Sequence, residues 1–190
     1  MPLRTFLMLL ALLLLLAGCA SLARSDAQAD LFAAVREDSV GGLKTALAAG
    51  AELNARGPGG QTALMAAALG GSPKSAAYLL KRGADATLGE QDGYTPLHGA
   101  AFQGRADVAR VLLQDARVPN AMHSDGFFPV HRACWGREQR HADTLRVFLE
   151  NGDFDKQTRD GKTLLEVASG KGNAASLALL KDWGSAAEEL

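Results

Sequence analysis

A 33-residue period constrains this chain more than any other feature. Leu31, Leu64, Leu97 and Val130 stand one period apart, as do Ala34, Ala67, Ala100 and Ala133. Gly50 and Gly83 share a third column, and Asp92-Gly93 and Asp125-Gly126 a fourth. After Val130 the register slips by two residues, to Leu165 within Gly161-Lys162-Thr163-Leu164-Leu165-Glu166. Self-similarity at such a period means stacked units, none of which buries its apolar face alone. Five units are read, at about 29–61, 62–94, 95–127, 128–162 and 163–190.

Within a unit the residues spell helix, turn, helix, loop. Thr95 is placed to cap a helix with its hydroxyl. Pro96 follows at the first helical position, where a missing N–H costs nothing. Ala100 and Ala101 let a neighbouring helix approach, and Gly104 ends the first helix. Val108, Val111, Leu112 and Leu113 carry helical spacing into the second. Gly83 ends the helix of Leu79-Leu80-Lys81-Arg82, and Asp92-Gly93 makes a tight turn. Pro73 starts the second helix of unit two. In unit one the second helix opens on Gly41-Gly42, each glycine costing about 1 kcal/mol against alanine, so fraying is expected there. Unit four carries about three extra residues within 136–144, and insertions in solenoids fall on one face that often binds.

Thr95-Pro96-Leu97-His98-Gly99-Ala100-Ala101 resembles the signature of the ankyrin repeat, with Asp92-Gly93 and Gly83-Ala84-Asp85 at its turn and helix-exit positions. The resemblance spans about Ala29 to Gly184. It implies an all-α ankyrin-repeat solenoid of about five helix-turn-helix repeats. Unit one, whose inner helix is read as Asp30 to Glu37, lacks the Thr-Pro start. Unit three has Ala116 where the family prefers glycine, and unit five ends in Trp183-Gly184 and a polar tail. Atypical end units suit capping repeats, whose outer faces meet water.

Residues 1–19 read as a signal peptide. Arg4 supplies a positive start, and Phe6 to Ala17 is an apolar run shorter than the roughly 20 residues of a membrane span. Leu16-Ala17-Gly18-Cys19 resembles the bacterial lipobox, which implies lipidation of Cys19. Ala20 is not the aspartate of an inner-membrane retention signal, which favours the outer membrane. Ala27-Gln28-Ala29 is a competing A-x-A cleavage site of an ordinary secretory peptide. Residues 20–28 read as a polar linker.

Nothing in the sequence assembles a catalytic set. His98 and His131 share a column, where the ankyrin resemblance implies a structural imidazole bonded to turn backbone and not a zinc ligand. Cys134 falls in an alanine column and is expected to be a buried, inert thiol. Asp92, Asp125 and Asp160 precede glycines as turn residues. The net charge of −1, with 22% charged residues, gives no attraction to nucleic acid.

The positions after the turn glycine are Gln61, Tyr94, Phe127 and Lys162. Those that follow the Ala-Ala step are Arg36, Leu69, Phe102, Trp135 and Gly170. The ankyrin resemblance implies that both sets face a concave groove. Four of the chain's eleven aromatics (Trp 2, Tyr 2, Phe 7) would gather there. Tyr94, Phe102, Phe127, Trp135 and Arg137 are the expected partner contacts. Arg132, Arg137, Arg140, His141 and Arg146 read as a solvated basic face beside them. The function read from the sequence is a monomeric, non-enzymatic scaffold without cofactor or metal. It would be exported and would bind a protein partner in the groove: in a bacterium a lipoprotein of the outer membrane or periplasm, in a eukaryote secreted or in the endoplasmic reticulum. The alternative is an accessory envelope protein supporting a periplasmic enzyme or stress response.

Overall fold

The structure is a computed structural model and describes residues 24–57 and 59–188. The lipobox and Cys19 lie outside these residues. Among the described residues, ten helices come in five consecutive pairs: α1 (24–36) with α2 (Val40–Ala48), α3 (Ala63–Gly70) with α4 (Pro73–Lys81), α5 (Pro96–Phe102) with α6 (Ala106–Leu113), α7 (Pro129–Ala133) with α8 (Gln139–Glu150), and α9 (Leu164–Lys171) with α10 (Ala174–Glu188). First helices stack in one row, α3 on α5 on α7 on α9, and second helices in another, α2 on α4 on α6 on α8 on α10. No strand occurs among the described residues.

The periodic columns are the core. Leu31, Leu64, Leu97 and Val130 are at most 1 % exposed, and Ala67, Ala100 and Ala133 are fully buried. Alanines there let helix axes approach, and the branched side chains fill the space between rows. Leu165 occupies the same column but is 41 % exposed, because no further helix pair stacks over α9 among the described residues. That open column is the last of the stack among the described residues.

Three local expectations change. The segment read as a linker up to residue 28 is helical from residue 24, and α1 extends well upstream of Asp30. Gly41-Gly42 lie within α2, and Ser39 caps it by accepting the Gly42 N–H at 3.2 Å. Gly42 is required instead for close approach, since a Cβ there would stand 2.8 Å from the Ala34 Cβ. Thr62 and Thr163 cap α3 and α9 through their hydroxyls, but Thr95 does not cap α5. The Nε2–H of His98 donates to the Phe127 carbonyl at 3.4 Å, which leaves Nδ1 as an acceptor, and the Thr95 hydroxyl donates to it at 2.9 Å. Pro96 fixes the helix start without the cap.

Polar side chains lock each repeat to the next. Asp38, held at φ 48, accepts from the main chain of Ser75 at 2.7 Å and Lys74 at 3.3 Å, capping α4 from the preceding repeat. Arg105 Nε donates to the Leu69 carbonyl at 3.1 Å, and His141 Nε2 to the Phe102 carbonyl at 3.2 Å. The residues inserted in unit four therefore partly lengthen α8, where His141 carries the cross-repeat bond. Residues 136–138 remain a loop before it.

Candidate functional site

The aromatic side chains meet where repeats three and four join. Tyr94 comes from the turn before α5, Phe102 from the end of α5, Phe127 from the turn before α7, and Trp135 from the loop after it. Repetition of one backbone shape places them on one surface. Phe102 meets Trp135 edge to face at 6.4 Å between ring centres, and Phe127 meets Trp135 edge to face at 5.3 Å.

Their centre is a cation. Arg132, on α7, is 4 % exposed. Its guanidinium carbon lies 4.0 Å from the Trp135 ring centre, 4.8 Å from Tyr94 and 5.1 Å from Phe127. It donates to the Tyr94 hydroxyl at 2.9 Å and closes an ion pair with Asp125. Tyr94 in turn donates to Asp125 at 2.9 Å. Partial burial pushes the Asp125 carboxyl up, but hydrogen bonds from Tyr94 and His123 and the charge of Arg132 outweigh it, leaving it at about 2. Tyr94 stacks on His123 with ring centres 4.0 Å apart. A charge leaves water at small cost only when paired and hydrogen-bonded, and this cluster supplies both.

Arg132 is thus no part of a solvated basic face. Nor is His141, which is 5 % exposed. Arg140 and Arg146 are exposed, and Arg140 pairs with Glu138 at 2.8 Å. The signal for Arg132 was its column: Ala66 and Gly99 hold the equivalent positions in units two and three. A large cation where neighbouring repeats carry a small residue marks something built around it.

Beside the cluster lies a cavity of about 270 Å³ lined by Leu69, Glu90, Tyr94, His98, Gly99, Phe102, Arg132 and Trp135. Tyr94, Phe102 and Trp135, three of the five expected contact residues, line it together. Phe127 packs behind Trp135 and Arg132. Arg137 is exposed on the loop between α7 and α8 and does not line the cavity. Phe102 is 51 % exposed and stands at the opening, whereas Arg132 forms a buried wall. Glu90 accepts from the Gln61 amide at 3.0 Å, which fixes its carboxylate. The cavity is a mostly apolar recess about the size of one large side chain.

The titratable groups nearby are structural. Burial lowers His98 and His131 to about 4, so both are neutral at pH 7. His131 Nδ1 accepts the Phe128 N–H at 3.1 Å. Burial pushes the Cys134 thiol up to about 12, away from the nucleophilic thiolate.

A family profile described as ankyrin repeats, three copies, matches residues 31–122. These residues are ankyrin repeats. The remaining helix pairs continue the same two rows to residue 188, and the described chain is an ankyrin-repeat helical solenoid. No curated protein matches the sequence. Ankyrin repeats are interaction modules that present an extended concave surface to a protein partner, and the cavity between Tyr94, Phe102 and Trp135 is a recess in the surface of this one.

Proposed function

We propose that this protein is a non-enzymatic, monomeric ankyrin scaffold. It is exported from the cytoplasm, tethered to a membrane through a lipid on Cys19, and binds a protein partner at the Tyr94–Phe102–Trp135 recess. The observation that carries the binding reading is Phe102. It is a half-exposed aromatic ring at the mouth of a recess whose other walls are already fixed by Arg132, Asp125 and Gln61. A rigid pocket with an aromatic rim loses little entropy on binding, and such anchors dominate interface energies, at about 2 kcal/mol or more each. Arg137, exposed on the adjoining loop, supplies a rim cation that steers approach.

Export and lipidation rest on the amino-terminal sequence: Arg4, the apolar run to Ala17, and Leu16-Ala17-Gly18-Cys19. None of the described helices is long and apolar enough to cross a membrane; the membrane location proposed here rests on the lipid at Cys19. Two or more acyl chains anchor stably where one is marginal.

The test is co-purification of the tagged, detergent-extracted protein from its own host, quantified for wild type and Phe102→Ala. A discrete species lost from the variant, with helical content unchanged, supports the recess as the binding site. Equal recovery of every associated protein by both forms rejects it.

A further inference from the structure

Helix α1 restricts where an export cut can lie. The sequence offers two sites, Leu16-Ala17-Gly18-Cys19 and Ala27-Gln28-Ala29. The second is inside the fold. Ala27 is 3 % exposed and belongs to the same apolar core as Leu31 and Phe32. Gln28 holds both main-chain groups of Glu52: its Oε1 accepts the Glu52 N–H at 2.9 Å, and its Nε2 donates to the Glu52 carbonyl at 3.3 Å. Arg24 adds an ion pair to the Glu52 carboxylate at 3.5 Å. One side chain thus satisfies the loop backbone at the first end of the stack, where no preceding repeat stands among the described residues.

A cut after Ala29 would delete residues 24–29 and leave α1 as 30–36, about two turns. A helix that short does not persist on its own strength. Leu31 and Val35, now at most 1 % exposed, would lose the first part of the element that carries them.

Building on the export reading above, we infer that the mature chain begins upstream of Arg24, with Cys19 as its first residue. On this inference Ala27-Gln28-Ala29 is a structural part of the first repeat, not a processing site. The tether is consequently short. Arg24 stands five positions after Cys19, and a chain spans at most about 3.6 Å per residue, so the first repeat begins within about 18 Å of the lipidated cysteine. The amino-terminal end of the solenoid is thereby held close to the membrane surface.

The experiment is intact-mass analysis of the full chain, wild type and Ala27→Asp, expressed in a bacterium that processes lipoproteins. Both forms should begin at a diacylglyceryl-modified Cys19. The variant, extracted from the membrane, should melt at least about 5 °C below wild type, because it buries an unpaired carboxylate. A wild-type chain beginning at Asp30, or a variant whose processing is blocked, overturns the inference while leaving export intact. An unchanged melting temperature overturns the packing role of α1. A chain that still begins at Met1 overturns the export reading itself, and with it the inference.

Discussion

Arg132 and Trp135 are stacked, the guanidinium carbon 4.0 Å from the indole ring centre. The contact joins a buried cation to the wall of the recess proposed for binding. Tyr94 and Phe127 add two more rings, and Asp125 neutralises the charge. A desolvated cation over an aromatic ring gains about 2 kcal/mol. Trp135 is therefore both a wall of the recess and a cover for the charge beneath it, whereas Phe102 is free to meet a partner.

Removing the anion should hurt more than removing an exposed ring. Asp125→Ala leaves Arg132 buried without its counter-charge and should cost about 2–4 kcal/mol in urea unfolding. Arg132→Lys should also destabilise, because an ammonium cannot match the planar stack and fork of the guanidinium. Phe102→Ala should change stability by less than about 1 kcal/mol. An Asp125→Ala protein as stable as wild type would show that the cluster is not structural.

Gly42→Ala should destabilise the first repeat although alanine is the better helix former. The new methyl would meet the Ala34 Cβ at 2.8 Å, so α1 and α2 must separate. We expect a loss of about 1–3 kcal/mol. A gain of the roughly 1 kcal/mol that helix propensity alone dictates would show that the two helices are not in contact at this point.

Stability should fall with acidification in a defined window. His98 and His131 titrate at about 4 in the fold, below the ordinary histidine value of 6.5, because burial disfavours the charged form. Above about 6.5 neither state is protonated and stability is full. Between 6.5 and 4 the unfolded chain takes up the protons first, so stability declines. Below 4 Asp125 adds a second loss as the pH falls toward its value of about 2. The histidine share is on the order of 2–4 kcal/mol for the pair, with screening allowed for. Urea titrations at pH 7.5, 5.5 and 4.5 should show the decline, and it should shrink in a His98→Gln protein.

Thr62 and Thr95 occupy the same column but do different work. Thr62→Ala removes a cap accepting the Met65 N–H at 3.2 Å and should cost about 1 kcal/mol at any pH. Thr95→Val removes the donor that favours the neutral His98 ring, so the folded-state titration moves up toward the ordinary histidine value and the acid loss of stability should become shallower, while Thr95→Ser restores the wild-type profile. The same pH profile in Thr95→Val as in wild type would exclude the bond.

The stack was legible because apolar columns repeat every 33 residues, and Leu64, Leu97 and Val130 needed no partner knowledge to be placed. The polar ties were not. Tyr94 to Asp125, Arg105 to the Leu69 carbonyl, and His141 to the Phe102 carbonyl join residues 31 to 39 positions apart. Each depends on the angle at which one repeat sits on the next, which composition does not encode. Charges default to solvent in a single sequence, so Arg132 and His141 read as surface. The aromatic contacts were half legible. Their columns bring Tyr94, Phe102 and Trp135 to one recess, but nothing in those columns showed that a cation lies against two of the rings.

The most direct measurement is photocrosslinking in the native host from a benzophenone side chain placed at position 102, with position 110 as control. Arg110 is exposed on α6 and does not line the recess. A discrete protein adduct from position 102, absent from position 110, is the predicted result. No adduct from 102, or the same adduct from both positions, would contradict a partner seated between Tyr94, Phe102 and Trp135.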